Sequence, residues 1–524
     1  MIRKLFPILL LLGMACAGAD HDPFELLIAG GTVVDGTGAA RFEADVAVRD
    51  GRIVLISRER LADSVAGRVI SAAGKIIAPG FIDLHAHLDP LLQLPDAESH
   101  VRQGVTTALG APDGGGPWPL DAYLDSAEAL GVGINVATLV GHNTVREEVM
   151  GMEDRAPTDG EMQRMRTMVR DAMAQGAWGI STGLKYLPGA FATTDEVVAL
   201  STEAAEAGGF YTSHLREEGL QLIDAVAETI EIGRRANIPV VLTHHKVVGQ
   251  PMWGASRQTL AMVDSARAAG IDVMLDQYPY TATYTGITIL IPAWAYDGGE
   301  TAFLQRLDNP TLRDSIVDGI VFNIINDRGG NDLRRVQLAR VEWMPELEGQ
   351  TLYDWAVMRG MEPTPETGAE LVIEAGRRGG ASAIYHVLDE GDVERIMKHP
   401  QTMIASDGRL TEPGIGHPHP RWYGTFPRVL GRYVREKGVL TLEQAVHKMT
   451  GLPARRLGIA NRGTIAEGQF ADLVVFDPET VIDQSTFQNP HQYPLGIEWV
   501  IVNGRIAVND ARFTGIRAGQ VLRK

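Results

Sequence analysis

Two histidines one residue apart, His85 and His87, close an apolar run in KIIAPGFIDLHAHLDP, from Lys75 to Pro90. If Phe81 to Leu84 form a strand ending in these residues, alternation sends both imidazoles to one face. Two imidazoles on one side of a strand end supply half of a divalent-metal site, and zinc is the usual guest. Paired surface histidines are common, so the spacing gains weight only from other residues able to join it. Asp113 in GVTTALGAPDGG, Lys185 in GISTGLKYLPG, His214 in FYTSHLREE, His244 in VVLTHHK and Asp407 in MIASDG each close or follow another strand-like run. Imidazoles and carboxylates bind zinc, and a carboxylate beside a metal can move the protons that a hydrolysis requires.

The elements that must position these residues alternate between strand and helix, the mark of a parallel α/β architecture. Eight strands are expected at 81–87, 104–110, 132–141, 177–184, 209–214, 238–244, 271–278 and 401–407, with helices such as Glu161 to Gln175 and Leu220 to Arg235 between them. Eight such units predict a TIM-like (β/α)8 barrel over residues 79–460, whose strand ends converge on one mouth. The interval from about 285 to 368 is too long for a βα connection and reads as an insertion. Short alternating runs with glycine turns at 22–78 and 461–524 predict a small β-sandwich built from both chain ends.

At 524 residues, with 45% apolar and 22% charged residues, the chain is long enough for a barrel and a second domain. A net charge of -18 argues against a nucleic-acid partner, which needs a basic face. The opening MIRKLFPILLLLGMACAGAD has a basic start, an apolar run and a small-residue end. It reads as a signal peptide over residues 1–19, too short for a stable membrane span, and implies a secreted or periplasmic protein. The single cysteine, Cys16, falls in that segment, where it loosely matches a lipid-attachment site, so the mature chain has no internal disulfide.

The motifs APGFIDLHAHLD, GVTT, GISTGLKYLPGAFATTDE, SHLREE, THHKVVG, DQYPYTA, SDG and HPRWYGTFPRVLGRYVRE resemble the amidohydrolase superfamily, in its D-aminoacylase (N-acyl-D-amino-acid deacylase) branch. The resemblance runs from about Leu26 to Asp477. It implies a zinc enzyme, with one or two ions, that cleaves the amide of a small N-acyl amino acid. By the same resemblance His85, His87, His214 and His244 are metal ligands, and Asp407 is both ligand and proton carrier. His244 is chosen over His245 because the family motif puts its ligand two residues before the lysine, here Lys246. One departure stands out: D-aminoacylases often have cysteine after GVTT, where this chain has Asp113. Either that carboxylate is a ligand, or a carboxylated Lys185 bridges the metals as in other amidohydrolases.

Lys246, Arg421, Tyr186 and Tyr278 are candidates for holding the substrate's carboxylate and carbonyl; the planar fork of arginine suits a carboxylate. A dipeptidase or cyclic-amide hydrolase on the same scaffold is the alternative enzyme, and a secreted binding protein that has lost activity is the alternative of another class. For His21, His100, His386, His399, His447 and His491 a packing or surface role is expected. His142 stands between packing and the pocket.

Overall fold

The computed structural model describes residues 23–524; the expected signal segment and Cys16 lie outside the described residues. The centre of the chain is carried by eight parallel strands, which run Phe81–Asp83, Val105–Gly110, Asn135–Thr138 continued by Val140–Gly141, Gly179–Gly183, Phe210–His214, Val240–Leu242, Val273–Gln277 and Thr402–Ile404. The ring closes where Gly408–Arg409, just past the eighth strand, pairs in parallel with Ala86–His87, just past the first. Closure therefore happens at the level of the first histidines. Because every strand points the same way, all their carboxyl ends open on one side.

The helices between strands lie outside the barrel for ordinary reasons. Asp159–Ala174 begins at a capping box, with Thr158 and Glu161 satisfying each other's backbone N–H groups, and buries Met165, Val169, Ala172 and Met173 on one stripe. Leu222–Ala236 buries Leu222, Val226, Thr229 and Gly233 and ends on Asn237 in the left-handed conformation.

Both chain ends build one nine-stranded sheet. Its halves are joined where Ile76–Pro79 pairs antiparallel with Leu473–Phe476. Past that sheet the chain returns to the barrel: Gly519 and Val521 form bridges to Val132 and Val136, and the Trp178 indole donates to the Leu522 carbonyl.

Between the seventh and eighth strands the chain builds a separate subdomain, over a wider span than the 285–368 interval read from the sequence. A three-stranded sheet of Thr283–Gly286, Val336–Arg340 and Ser382–Tyr385 frames helices Gly299–Asp308, Pro310–Asn326, Leu352–Met358 and Pro365–Arg377. Phe303, Ile320, Ile324, Trp355 and Leu371 form its own core. The sequence bounds stop short because the closing helix and strand look like an ordinary barrel unit when read linearly. No helix among the described residues is long and apolar enough to cross a membrane.

Candidate active site

The strand ends bring His85, His87, Asp113, His214, His244 and Asp407 into one cluster. His85, His87, Asp113 and Asp407 can each turn a donor atom to within 4.8 Å of the others, and Asp113, His214 and His244 do the same. Asp113 belongs to both groups. Its carboxylate lies 3.4 Å from His85 Nε2, 3.6 Å from His87 Nε2, 3.3 Å from His244 Nε2 and 4.0 Å from His214 Nδ1. Asp407 Oδ1 is 3.1 Å from His87 Nε2 and 3.6 Å from His85 Nε2. His214 Nδ1 and His244 Nε2 face each other at 2.7 Å.

These residues fit a zinc site by the chemistry of their donors. All are nitrogen or carboxylate oxygen, and all but His87 are largely buried. Both ring nitrogens of His85, His214 Nε2 and Asp113 Oδ1 have no hydrogen-bond partner in the protein, although burial normally demands one. Burial alone would push the Asp113 carboxyl upward, yet His85 and His244 outweigh it and hold the group well below the usual carboxylate range. At Asp407 burial is likewise overcome, here by Arg421, His85 and His87. Both carboxylates therefore stay ionised, the state that metal ligation needs.

Backbone geometry aims several of these side chains. Asp113, His244 and Asp407 have φ of 55°, 36° and 48°, in the left-handed region that residues with a Cβ rarely occupy. Two of them are held by a neighbouring strand. The His244 N–H donates to Asp276 at 2.6 Å, and the Asp407 N–H donates to the His85 carbonyl at 2.8 Å. Beside Asp113, Gly114 (φ 77°) cannot be replaced freely, because an added Cβ would come within 2.1 Å of Asn143. Asp83, buried below the cluster, accepts from the backbone N–H groups of His85 and Ser406 and from the Ser406 hydroxyl, tying the first strand to the eighth.

Lys185 stands elsewhere, and this corrects the expectation that it is a ligand. Its ammonium is ion-paired with Glu217 and lies 3.6 Å from Asp327, and its side chain lines an adjoining cavity. An ammonium held by two carboxylates has no reason to be carboxylated. Lys246, Arg421, Tyr186 and Tyr278 do line the pocket over the cluster, a cavity of about 280 Å3. Their freedom differs. The three hydrogens of Lys246 are taken up by Glu218, the His244 carbonyl and His244 Nδ1, so it orients His244 rather than waiting for a substrate. Arg421 places Nη2 2.9 Å from Asp407, leaving Nε and Nη1 without a partner; the Tyr278 hydroxyl is also unpartnered. Tyr186 packs against the His214 ring at 4.3 Å between centroids.

The sequence reading missed Glu218 and Arg328. Glu218, 1% exposed, sits 3.5 Å from His214 Nε2 and 3.3 Å from His244 Nδ1, and Arg328 pairs with it at 3.0 Å. SHLREE contains Glu218, but nothing in a linear motif separates it from Glu217, which turns to Lys185. Arg328 lies inside the insertion and carries no local signal. The other histidines have structural partners: His142 with Glu196, His399 with Asp264, His386 with Gln337, and His447 with the Gly36 carbonyl. His245 turns away to Thr259. His21 lies outside the described residues.

A closed parallel barrel with four histidines and two aspartates at its mouth defines a metal-dependent hydrolase. A sequence model of the amidohydrolase family matches residues 68–508, and the chain belongs to that family. It is 40% identical to a D-aminoacylase of Alcaligenes xylosoxydans xylosoxydans, over 96% of this chain and 98% of that one. A crystal structure of D-aminoacylase superposes with a TM-score of 0.82 at 38% identity, covering 96% of this chain and all of that one (100%). An N-acyl-D-glutamate deacylase from Bordetella bronchiseptica, solved with zinc and a phosphonate mimic of the tetrahedral intermediate, gives a TM-score of 0.81 at 38% identity, over 96% and 100% of the two chains.

Proposed function

We propose that the protein is a zinc-dependent deacylase that hydrolyses the amide of N-acyl-D-amino acids to a carboxylate and a free D-amino acid. The observation that carries this reading is the cluster itself: two sets of imidazole and carboxylate donors sharing Asp113, with the half-free guanidinium of Arg421 beside Asp407. The named relatives support the substrate class. Zinc would be held by His85, His87, Asp113, Asp407, His214 and His244. When bound it supplies Lewis acidity, which activates water and polarises an amide carbonyl.

The remaining work falls to side chains. Asp407 accepts a proton from water and returns it to the departing nitrogen, since an amine must be protonated to leave. The unpaired Nε and Nη1 of Arg421 are placed to take the substrate's carboxylate, and in doing so they bring the leaving nitrogen toward Asp407. The Tyr278 hydroxyl, buried and unpartnered, can donate to a carbonyl oxygen. Glu218, Lys246 and Arg328 form the buried ionic frame that fixes the His214 and His244 rings. The N-terminal sequence pattern supports export from the cytoplasm as part of this reading.

The test is a panel of N-acyl-D-amino acids, their L enantiomers, dipeptides and hydantoins, run on wild type and Asp407→Asn. Turnover should be confined to the D-acyl compounds, and the variant should lose roughly 10²–10⁴-fold in kcat. Faster turnover of dipeptides or hydantoins would transfer the assignment to those substrates. Absence of bound metal together with no turnover would favour a binding protein.

A further inference from the structure

We infer that the preferred substrates carry a medium- or long-chain aliphatic acyl group, housed in a chamber between the barrel and the insertion. This rests on the deacylase reading above. The 280 Å3 pocket over the metal cluster suffices for a small acyl group and an amino acid backbone, but it does not end there. Tyr186, Thr285 and Gly286 also line a second cavity of about 1440 Å3. Small-molecule sites commonly span roughly 300–1,000 Å3, so the added space far exceeds what an acetyl group needs.

Which half of the substrate enters the chamber follows from the positions of the catalytic groups. Asp407 must reach the leaving nitrogen, and Arg421 stands 2.9 Å from it, so the amino acid half belongs on the eighth-strand side. Tyr186, on the loop after the fourth strand, marks the other rim, packed on His214. The acyl half, on the far side of the scissile carbon, points there.

The chamber's chemistry matches a tail. Leu187, Ile289, Ile291, Tyr296, Phe322 and Trp343 contribute apolar wall, and Phe322 is 54% exposed without a protein partner to cover it. The cations that border the space each stand beside a carboxylate. Lys185 is paired with Glu217, Arg216 with Glu228 at 2.8 Å, Arg340 with Glu348 at 3.3 Å and Arg378 with Glu374 at 3.2 Å. Glu300 and Glu342 are exposed to solvent. A second carboxylate would have to compete with the cations' partners, of which Glu374 is shared between Arg378 and Arg359, whereas an aliphatic chain needs only displaced water and contact.

The experiment uses the zinc-loaded protein and N-acetyl-, N-hexanoyl- and N-decanoyl-D-leucine, below their micelle-forming concentrations. Their kcat/KM should rise about two- to fourfold per added methylene until the chain is accommodated. A flat or falling series, with the acetyl compound active, overturns the inference. Ile289→Asp should cut the decanoyl-to-acetyl ratio at least about tenfold by setting a charge against the tail. Should that variant fail to fold, the more exposed Phe322→Asp reads the same ratio, and an unchanged ratio overturns the inference. If neither these compounds nor any other N-acyl-D-amino acid is turned over, the deacylase reading falls. Calorimetric binding then judges the chamber on its own: tighter binding of the decanoyl than the acetyl compound supports it, and equal affinity overturns it.

Discussion

Asp113 is the residue whose removal should disturb the metal site most widely. Each histidine belongs to one donor group, whereas Asp113 belongs to both and lies 3.3 to 4.0 Å from four imidazole nitrogens. Loss of even an outer partner of a metal ligand commonly weakens binding 10–100-fold, or roughly 1.4–2.8 kcal/mol, and loss of a ligand should cost at least that for each ion. Asp113→Ala should therefore lower occupancy in both groups. His87→Ala should empty only the group containing Asp407, and His214→Ala only the group containing His244. The assay is metal per chain after equilibration at a series of buffered free zinc concentrations, read by elemental analysis and independent of turnover. Asp113→Cys should recover zinc, for which thiolate is a good ligand, but not manganese, which favours carboxylate. If Asp113→Ala binds zinc as the wild type does, or loses it from one group only, the shared-carboxylate reasoning is refuted.

Lys185→Ala should leave metal content unchanged, because its ammonium is engaged by Glu217 rather than the cluster; loss of an ion would return it to the ligand set. Arg421→Ala should raise KM for free carboxylates more than for their carboxamides. It also removes a cation that holds Asp407 low against the opposing effect of burial, so the acid limb of kcat/KM should move to higher pH; an unmoved limb would remove Arg421 from that role. Burial lowers His386 from 6.5 to about 4, helped by Arg335, and burial does the same to His100. Between these values the unfolded chain binds more protons than the folded one, so stability should fall as pH drops from about 6.5 toward 4. Asp83, raised by burial to about 6, works in the opposite direction, its contribution being lost as pH rises. Urea unfolding at pH 7 and pH 5 should show His386→Gln losing less stability than wild type, by up to roughly 2 kcal/mol. Equal losses would exclude His386 from the acid response.

Much of this protein was legible in one dimension because the information is local. A parallel strand buried on both faces reads as a short apolar run, and a barrel repeats that run eight times, with a metal-binding residue at or just past the carboxyl end of five of them. His85, His87, His214, His244 and Asp407 could be picked out for that reason. The tertiary structure decided what each does. It set Asp113 among four imidazoles and sent Lys185, on the loop after the fourth strand, to Glu217 and Asp327. It turned Glu218 inward and its neighbour Glu217 outward, and it brought Arg328 from a separate subdomain to pair with Glu218. It also put Arg421 onto Asp407 and opened a chamber whose wall at Ile289, Phe322 and Trp343 comes from the insertion rather than from the metal-binding strands it serves. A linear motif fixes residue types and their spacing along one strand. Which carboxylate meets which cation depends on closing the barrel and docking the insertion, where burial makes an unpaired charge too costly to leave alone.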